Sequence, residues 1–249
     1  MDLKERQNEI IKILEKNGYV TVKYLTEVLL YSTATINRDL NELERKQLVT
    51  RSYGGVELVR STYVPIFLRN HKMHTVKNII GKKAATFVND GDTIFIDGST
   101  TAQCMEKYLV SKKNITVITN NIVLAANLSA NNVKVICLGG TVVEPPSMLF
   151  GDETVENSTK YIVDKMFFST KAVTTSGIIS STIYALALNN LMKNAKEIYY
   201  LVDDKKVNQP FNDIFCDFNK IDKVVSNFEF PDETKKLYPS TTFVKVNDD

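Results

Sequence analysis

The 249-residue sequence predicts an α/β chain in two unequal parts, a small winged helix-turn-helix followed by a larger, mainly parallel α/β domain. Three observations predict it. Near the N-terminus, apolar residues recur three and four apart in three short runs, and two β-prone segments around Gly54-Gly55 follow them. From Thr75 onward, apolar strand-like runs alternate with polar Gly/Thr/Asn turns and helical stretches, as in a parallel sheet covered on both faces. Between the two, Arg60, Pro65, Arg69, His71 and His74 lie among few periodic apolar positions. The expected division is 1–58 for the winged domain, 59–74 for a linker and 75–249 for the α/β domain.

The elements follow in order. Leu3, Ile10, Ile11 and Leu14 predict a helix over 2–17 that Gly18 stops. Tyr19-Val20 reads as extended, and Thr21 caps a helix over 22–29 with Val22, Leu25 and Val28/Leu29 inward. After a tight turn, Ser32 caps a third helix running to Lys46, with Ile36, Leu40 and Leu43 on its buried face. Leu48–Leu58 forms the hairpin. In the α/β part, a helix over 75–88 ends at Asn89-Asp90-Gly91. Strands are expected over 93–97, 115–119, 133–138, 165–173, 197–203 and 222–226, and helices over 101–110, 121–129, 152–160 and 182–196. The stretch 141–150, with Pro145-Pro146, reads as loose.

Composition narrows the function classes. A hydrophobic fraction of 43% and a charged fraction of 24% are those of a folded globular protein. No apolar run reaches the length of a membrane span and the first ten residues are too charged for a signal peptide, so a cytoplasmic protein is expected. Cys104, Cys137 and Cys216 show no CxxC spacing and suggest neither disulfides nor a zinc site. No histidine follows His74, which leaves the α/β part without a histidine base or ligand. No metal or cofactor is expected. A net charge of +2 leaves any affinity for nucleic acid to local patches.

Two regions carry chemistry. Ser32, Thr33, Thr35, Asn37, Arg38 and Asn41 lie on the outer face of the third helix, mostly in its N-terminal half. Short hydroxyls, Asn and Arg are side chains that read base edges, and helix-turn-helix proteins dock by this end. The same face also fits an ordinary solvated helix. Arg51 and Tyr53 stand on the wing, where they would lie near phosphates. In open α/β sheets ligands bind beyond the carboxyl ends of the strands. Those ends carry Asp97-Gly98-Ser99-Thr100-Thr101, Thr119-Asn120, Gly139-Gly140 and Asp203-Asp204-Lys205-Lys206. Ser99 and Thr100 either cap a helix or help to cradle an anion. Lys205 and Lys206 either meet a phosphate or are solvated, and one of the two is expected to be solvated. Together these turns suggest a small phosphorylated ligand.

These residues resemble the DeoR family of bacterial sugar-metabolism regulators over essentially the whole chain. Ser32, Thr35, Ile36, Arg38, Asp39, Leu40, Leu43 and Glu44 match its recognition helix, and Arg51, Gly54 and Gly55 its wing. Ile94–Asp97 followed by Ser99-Thr100-Thr101 is similar to its first ligand turn. Thr119-Asn120, Gly139-Gly140, Gly151, Gly177 and Asp203/Lys206 correspond to later ones, and Arg69 and Lys77 match positions in the linker and first sensor helix. The resemblance implies a sensor domain like the ribose phosphate isomerase and CoA-transferase folds. It also implies a repressor of a carbohydrate-utilisation operon, a double-stranded operator, a phosphorylated sugar or polyol effector, and a dimer or tetramer. The competing reading is a sugar-phosphate isomerase-like enzyme on the same domain, with Asp97 as an acid or base. Four features depart from the family pattern: Asn37 replaces an Arg, Tyr53 a His, Lys205 a Ser, and the loop Ser180–Ala185 lacks acidic residues.

Overall fold

A computed structural model describes residues 3–46, 48–52, 55–58, 74–143 and 147–247. The chain divides into two compact units, Met1–Pro65 and Ile66–Asp249. Tyr53, Gly54 and the stretch 59–73 lie outside the described residues, and with them the expected wing contact of Tyr53, the linker and Arg69.

The first unit packs α1 (Leu3–Asn17), α2 (Val22–Leu29) and α3 (Thr33–Arg45) with a three-stranded antiparallel sheet. Its strands are β1 (Val20–Thr21), β2 (Val49–Ser52) and β3 (Gly55–Leu58), in the order β1-β3-β2. The capping residues act as expected. Gly18 takes a positive φ of 71° after α1, the Thr21 hydroxyl accepts from the Tyr24 N–H, and Ser32 Oγ accepts from the Thr35 N–H. Ile10, Leu14, Leu25, Ile36, Leu40, Leu43 and Val56 fill the core. Val28 lies outside it, half exposed, so the buried stripe of α2 is narrower than its spacing suggested. The α2–α3 turn is made by Leu30 in the left-handed region, at φ 58°.

The second unit is a seven-stranded sheet, all parallel, built from β4 (Thr93–Ile96), β5 (Thr116–Thr119), β6 (Lys134–Cys137), β9 (Val163–Phe168), β11 (Ala195–Val202), β13 (Lys223–Ser226) and β14 (Thr242–Lys245). Their spatial order is β14-β13-β11-β9-β4-β5-β6. Alternate residues serve opposite faces. Ile94, Ile96, Phe167, Tyr199 and Leu201 pack against α4 (His74–Ala85) and α7 (Ile122–Ala130). Phe95, Met166, Phe168, Tyr200 and Val202 pack against α9 (Ala185–Lys193) and an aromatic group of Phe218, Phe230 and Tyr238. Burial on both faces explains the near-continuous apolar strands.

Several elements differ from the sequence reading. The expected helix over 101–110 is two single turns, α5 (Thr100–Gln103) and α6 (Glu106–Leu109), because the N–H groups of Cys104 and Met105 bond three residues back. The loose stretch holds an antiparallel pair, β7 (Thr141–Val143) with β8 (Met148–Phe150). A second pair, β10 (Ile178–Ser180) with β12 (Ile214–Asp217), lies off the main sheet. β9 stops at Phe168 rather than Val173, and α10 (Asp232–Leu237) and β14 follow the strand expected to be last.

Candidate functional site

From β4 the chain moves outward through β5 to β6, then returns to the other side of β4 as β9 and continues to β14. The β4/β9 junction is therefore the switch point of the sheet, where the turns after two neighbouring strands diverge and leave a crevice. A cavity of about 600 Å³ opens there. Gly98, Ser99 and Thr100 line it after β4, Ser169, Thr170 and Lys171 after β9, and Lys206 after β11. Lys77 of α4, Met148 of β8 and the segments 180–184 and 210–213 complete the wall. Three lysines and one carboxylate, Asp213, supply its formal charges.

Two of the lysines bind the turn after β4. Lys77 Nζ donates to Thr100 Oγ1 at 2.9 Å, and Lys206 Nζ donates to Thr101 Oγ1 at 3.2 Å and to Ser169 Oγ at 2.7 Å. Ser99 caps α5, its Oγ accepting from the Ala102 N–H at 3.2 Å while donating to Asp97 at 2.5 Å. The cap and the lining wall are thus the same residue. Gly98 fits because of space: a Cβ there would lie 2.3 Å from Met148 Cγ.

Asp97 lies under the cavity, fully buried. Its carboxylate accepts from the Ser99 N–H, Ser99 Oγ, the Ser169 N–H and Tyr184 Oη. Burial pushes the carboxyl up to about 6, while the bonds from Ser99, Ser169 and Tyr184 pull it down. Asp97 thereby ties the turns of β4 and β9 to the loop before α9.

Of the sequence-predicted residues, Gly98, Ser99, Thr100 and Lys206 line the cavity. Thr101 lies behind it as a partner of Lys206. Thr119, Asn120, Gly139 and Gly140 do not line it. Thr119 Oγ1 accepts from the Asn121 N–H, and Asn120 Nδ2 donates to the Leu149 carbonyl. Gly139 and Gly140 have positive φ, and a Cβ on Gly140 would lie 2.3 Å from Thr154 Oγ1. Among the described residues, Asn120 Oδ1, Asn121 Nδ2, Ser147 Oγ and Asp203 Oδ2 are buried without a hydrogen-bond partner. The sequence pattern does not single out Ser169–Lys171, because the expected strand over 165–173 runs through them. The apolar run that ends at Phe168 was the signal. The segment 210–213 carried none.

In the first unit, Ser32, Thr33, Arg38 and Asn41 are exposed on α3, and Thr35 and Asn37 are half-buried. Ser32 and Thr35 share a hydroxyl bond of 2.9 Å as well as the cap. Arg51 reaches back from β2, donating to Asn41 Oδ1 and to Asn37 Oδ1, each at 2.5 Å. Asp39 faces inward, fully buried in a bidentate pair with Arg6 of α1. The hydrogen bond to Asp39 raises the Arg6 guanidinium above its ordinary value against the opposing effect of burial. Arg6 also lies over the Tyr31 ring at 4.8 Å. Nothing in the spacing of α3 distinguished Asp39 from a solvated acid, since its partner lies 33 residues away.

Known proteins share these features. The profile of the DeoR-like helix-turn-helix domain matches residues 6–62, and that of the DeoR C-terminal sensor domain matches residues 72–227. The lactose phosphotransferase system repressor of Staphylococcus aureus strain NCTC 8325 is 30% identical over 257 residues, covering 100% of both chains. The HTH-type transcriptional repressor GlcR of Bacillus subtilis is 29% identical over 228 residues, covering 90% of this chain and 88% of that one. Among solved structures, ribose 5-phosphate isomerase A from Neisseria gonorrhoeae aligns with a TM-score of 0.41 at 13% identity, covering 55% of this chain and 54% of that one. Among the described residues, no helix is long and apolar enough to cross a membrane.

Proposed function

From the premise that this chain belongs to the DeoR family of helix-turn-helix transcriptional regulators, we propose that it represses a carbohydrate-utilisation operon and is controlled by a phosphorylated sugar or polyol bound in its sensor domain. The family membership makes it a DNA-binding regulator of carbohydrate metabolism; the repression, the effector and the residue roles are proposed. The relatives named above are both repressors, which supports the sign of regulation.

The cavity at the switch point carries the reading. Lys77, Lys171 and Lys206 against Asp213 favour a compact dianion, and the hydroxyls of Ser99, Thr100, Ser169, Thr170, Ser180, Ser181 and Thr182 suit a polyhydroxylated ligand. Asp97 holds the two turns together rather than touching the ligand. The segment Ser180–Tyr184 forms one wall, so its lack of acidic residues bears on which sugar fits. In the winged domain, Thr33, Asn37, Arg38 and Asn41 meet the major groove. Residues 59–74 connect the domains, and a dimer or tetramer spans repeated half-sites.

The test is a melting-temperature screen of sugar phosphates and their unphosphorylated parents, paired with binding to DNA upstream of the chain's own gene neighbourhood. Phosphorylated compounds should raise the melting temperature and weaken DNA binding. Equal effects from the unphosphorylated parents, or none from any sugar phosphate, would reject the reading.

A further inference from the structure

Two large apolar side chains on the cavity wall belong to neither core of the sensor unit. Met148 and Tyr184 line the cavity and also pack in the core that holds Phe168 and Tyr200. Phe211 and Ile183 line it without joining either core. Ile183 is 57% exposed and Phe211 is half-buried. Phe215, four residues on, meets Phe168 edge-on, whereas Phe211 meets no ring among the described residues. Both side chains stand on a braced wall. β10 and β12 pair off the main sheet, and the segments 180–184 and 210–213 extend from one end of that pair. The Ser181 N–H donates to the Asp213 carbonyl at 2.7 Å, and Asn208 is tied to Val173 and Thr175. Pro210 fixes its own φ directly before Phe211. A ring held in place in this way costs a ligand little ordering.

We propose that Phe211 and Ile183 form a second subsite for a ring carried by the phosphorylated sugar, so that the effector is a glycoside phosphate rather than a monosaccharide phosphate. The inference rests on the reading of the cavity as an effector site for a phosphorylated sugar. Size supports it. Cavities of roughly 300–1,000 Å³ enclose drug-sized ligands, larger than a pyranose monophosphate of about 16 non-hydrogen atoms. This one has about 600 Å³. The division of the lining supports it too. All three lysines come from α4 and from the turns after β9 and β11, and the segments 180–184 and 210–213 contribute no cation. A pyranose phosphorylated at C6 and substituted at C1 carries its phosphate and its second ring at opposite ends. With the phosphate on the lysines, the second ring is directed toward the wall that has none. An aromatic side chain there takes a phenyl group ring on ring, or the C–H face of a second sugar. Asp213, on the same wall, accepts from the hydroxyls of a second sugar and finds none on a phenyl group.

The experiment titrates the full chain by calorimetry with glucose 6-phosphate and galactose 6-phosphate, with the phenyl β-glycosides of both, and with β-linked disaccharides that carry either phosphorylated ring. The best glycoside phosphate should bind about tenfold or more tightly than its own parent, the gain from burying one further ring face. Phe211→Ala should bring that ratio close to one, and Ile183→Ser should reduce it. A ratio taken within each variant cancels any general loss of folded protein. A gain from the disaccharides alone assigns the subsite to a second sugar, and a gain from the phenyl glycosides alone assigns it to an apolar substituent. The proposal is overturned if the glycoside phosphates bind no more tightly than their parents, or if the wild-type ratio persists in both variants. Binding of no phosphorylated sugar at all rejects the effector-site reading instead.

Discussion

Replacing Asp39 by Ala should destabilise the winged unit, in part or completely, while leaving the sensor unit intact. Asp39 and Arg6 form a bidentate pair with both side chains almost entirely out of water. Removing one partner of such a pair strands a buried charge and costs about 3–5 kcal/mol. The unit that holds the pair spans Met1–Pro65. At about 0.05–0.15 kcal/mol per residue, a unit of that size has roughly 3–10 kcal/mol in total, so the loss takes a third of its stability or all of it. Calorimetry of the full chain should show one transition moving down or vanishing while the other stays in place. DNA affinity should fall in proportion to the unfolded fraction. The double variant Arg6→Met/Asp39→Leu removes both charges and should recover most of the transition, because well-packed apolar replacements of buried pairs are often neutral. The reasoning is refuted if Asp39→Ala abolishes DNA binding with both transitions unmoved, for Asp39 would then act at the DNA rather than inside the domain.

Three further outcomes are expected. Lys206→Ala should weaken a phosphorylated effector by about 1.5–3 kcal/mol, roughly 10- to 150-fold by titration calorimetry, the range for hydrogen bonds to charged groups; an equal loss for an unphosphorylated sugar would assign Lys206 to the scaffold through Thr101 and Ser169. Asp97 has its folded-state carboxyl raised from 3.8 to about 6, so the stability it confers is full below about pH 4 and lost as pH rises through 6. Between those limits the wild-type sensor should lose about 3 kcal/mol that Asp97→Asn does not lose, measured by denaturant titration across pH; parallel curves would contradict the burial argument. Leu30 is 87% exposed at φ 58°, so Leu30→Gly removes about 1–2 kcal/mol of left-handed strain against about 0.5–1 of extra chain entropy. The winged unit should melt a few degrees higher, and a lower melting temperature would show that the leucine packs in a way its exposure does not suggest.

What could be read in the sequence was what depends on neighbours along the chain. Ser32, Thr21 and Gly18 announced caps because capping partners lie within four residues. The unbroken apolar run Ile94, Phe95 and Ile96 announced a strand buried on both faces. The turn Asp97–Thr101 was found as a strand end and forms part of the cavity wall. What could not be read depends on distant partners. Asp97 stands in the turn read as ligand-binding, and it also accepts from the Ser169 N–H and Tyr184 Oη, 72 and 87 residues away. Arg51 read as a wing cation, and it donates to Asn37 and Asn41. The rim turns at Thr119-Asn120 and Gly139-Gly140 carry ligand-like residues for structural ends. β5 and β6 lie on the far side of β4 from β9, away from the switch point.

On the proposed reading, Lys77 links the effector cavity to the segment that leads to the DNA-binding part by chain connectivity alone. It stands in the first turn of α4, which begins at His74 where the expected linker ends, and its ammonium reaches Thr100 on the cavity wall. An effector that touched only the turns of β4 and β9 would bind either arrangement of the chain equally and shift nothing. On the proposed reading, one that also engages Lys77 gains the differential affinity a switch requires if the two arrangements place α4 differently. A single charge-assisted bond supplies about 1.5–3 kcal/mol, within the usual coupling range and worth roughly 10- to 150-fold. Moving an operator from about 99% to 1% bound needs about 5.5 kcal/mol. One protomer falls short of that, and two acting together supply about 3–6 kcal/mol, which reaches it only near the top of that range. On the proposed reading, the energy one lysine can deliver therefore favours an oligomer over a single protomer.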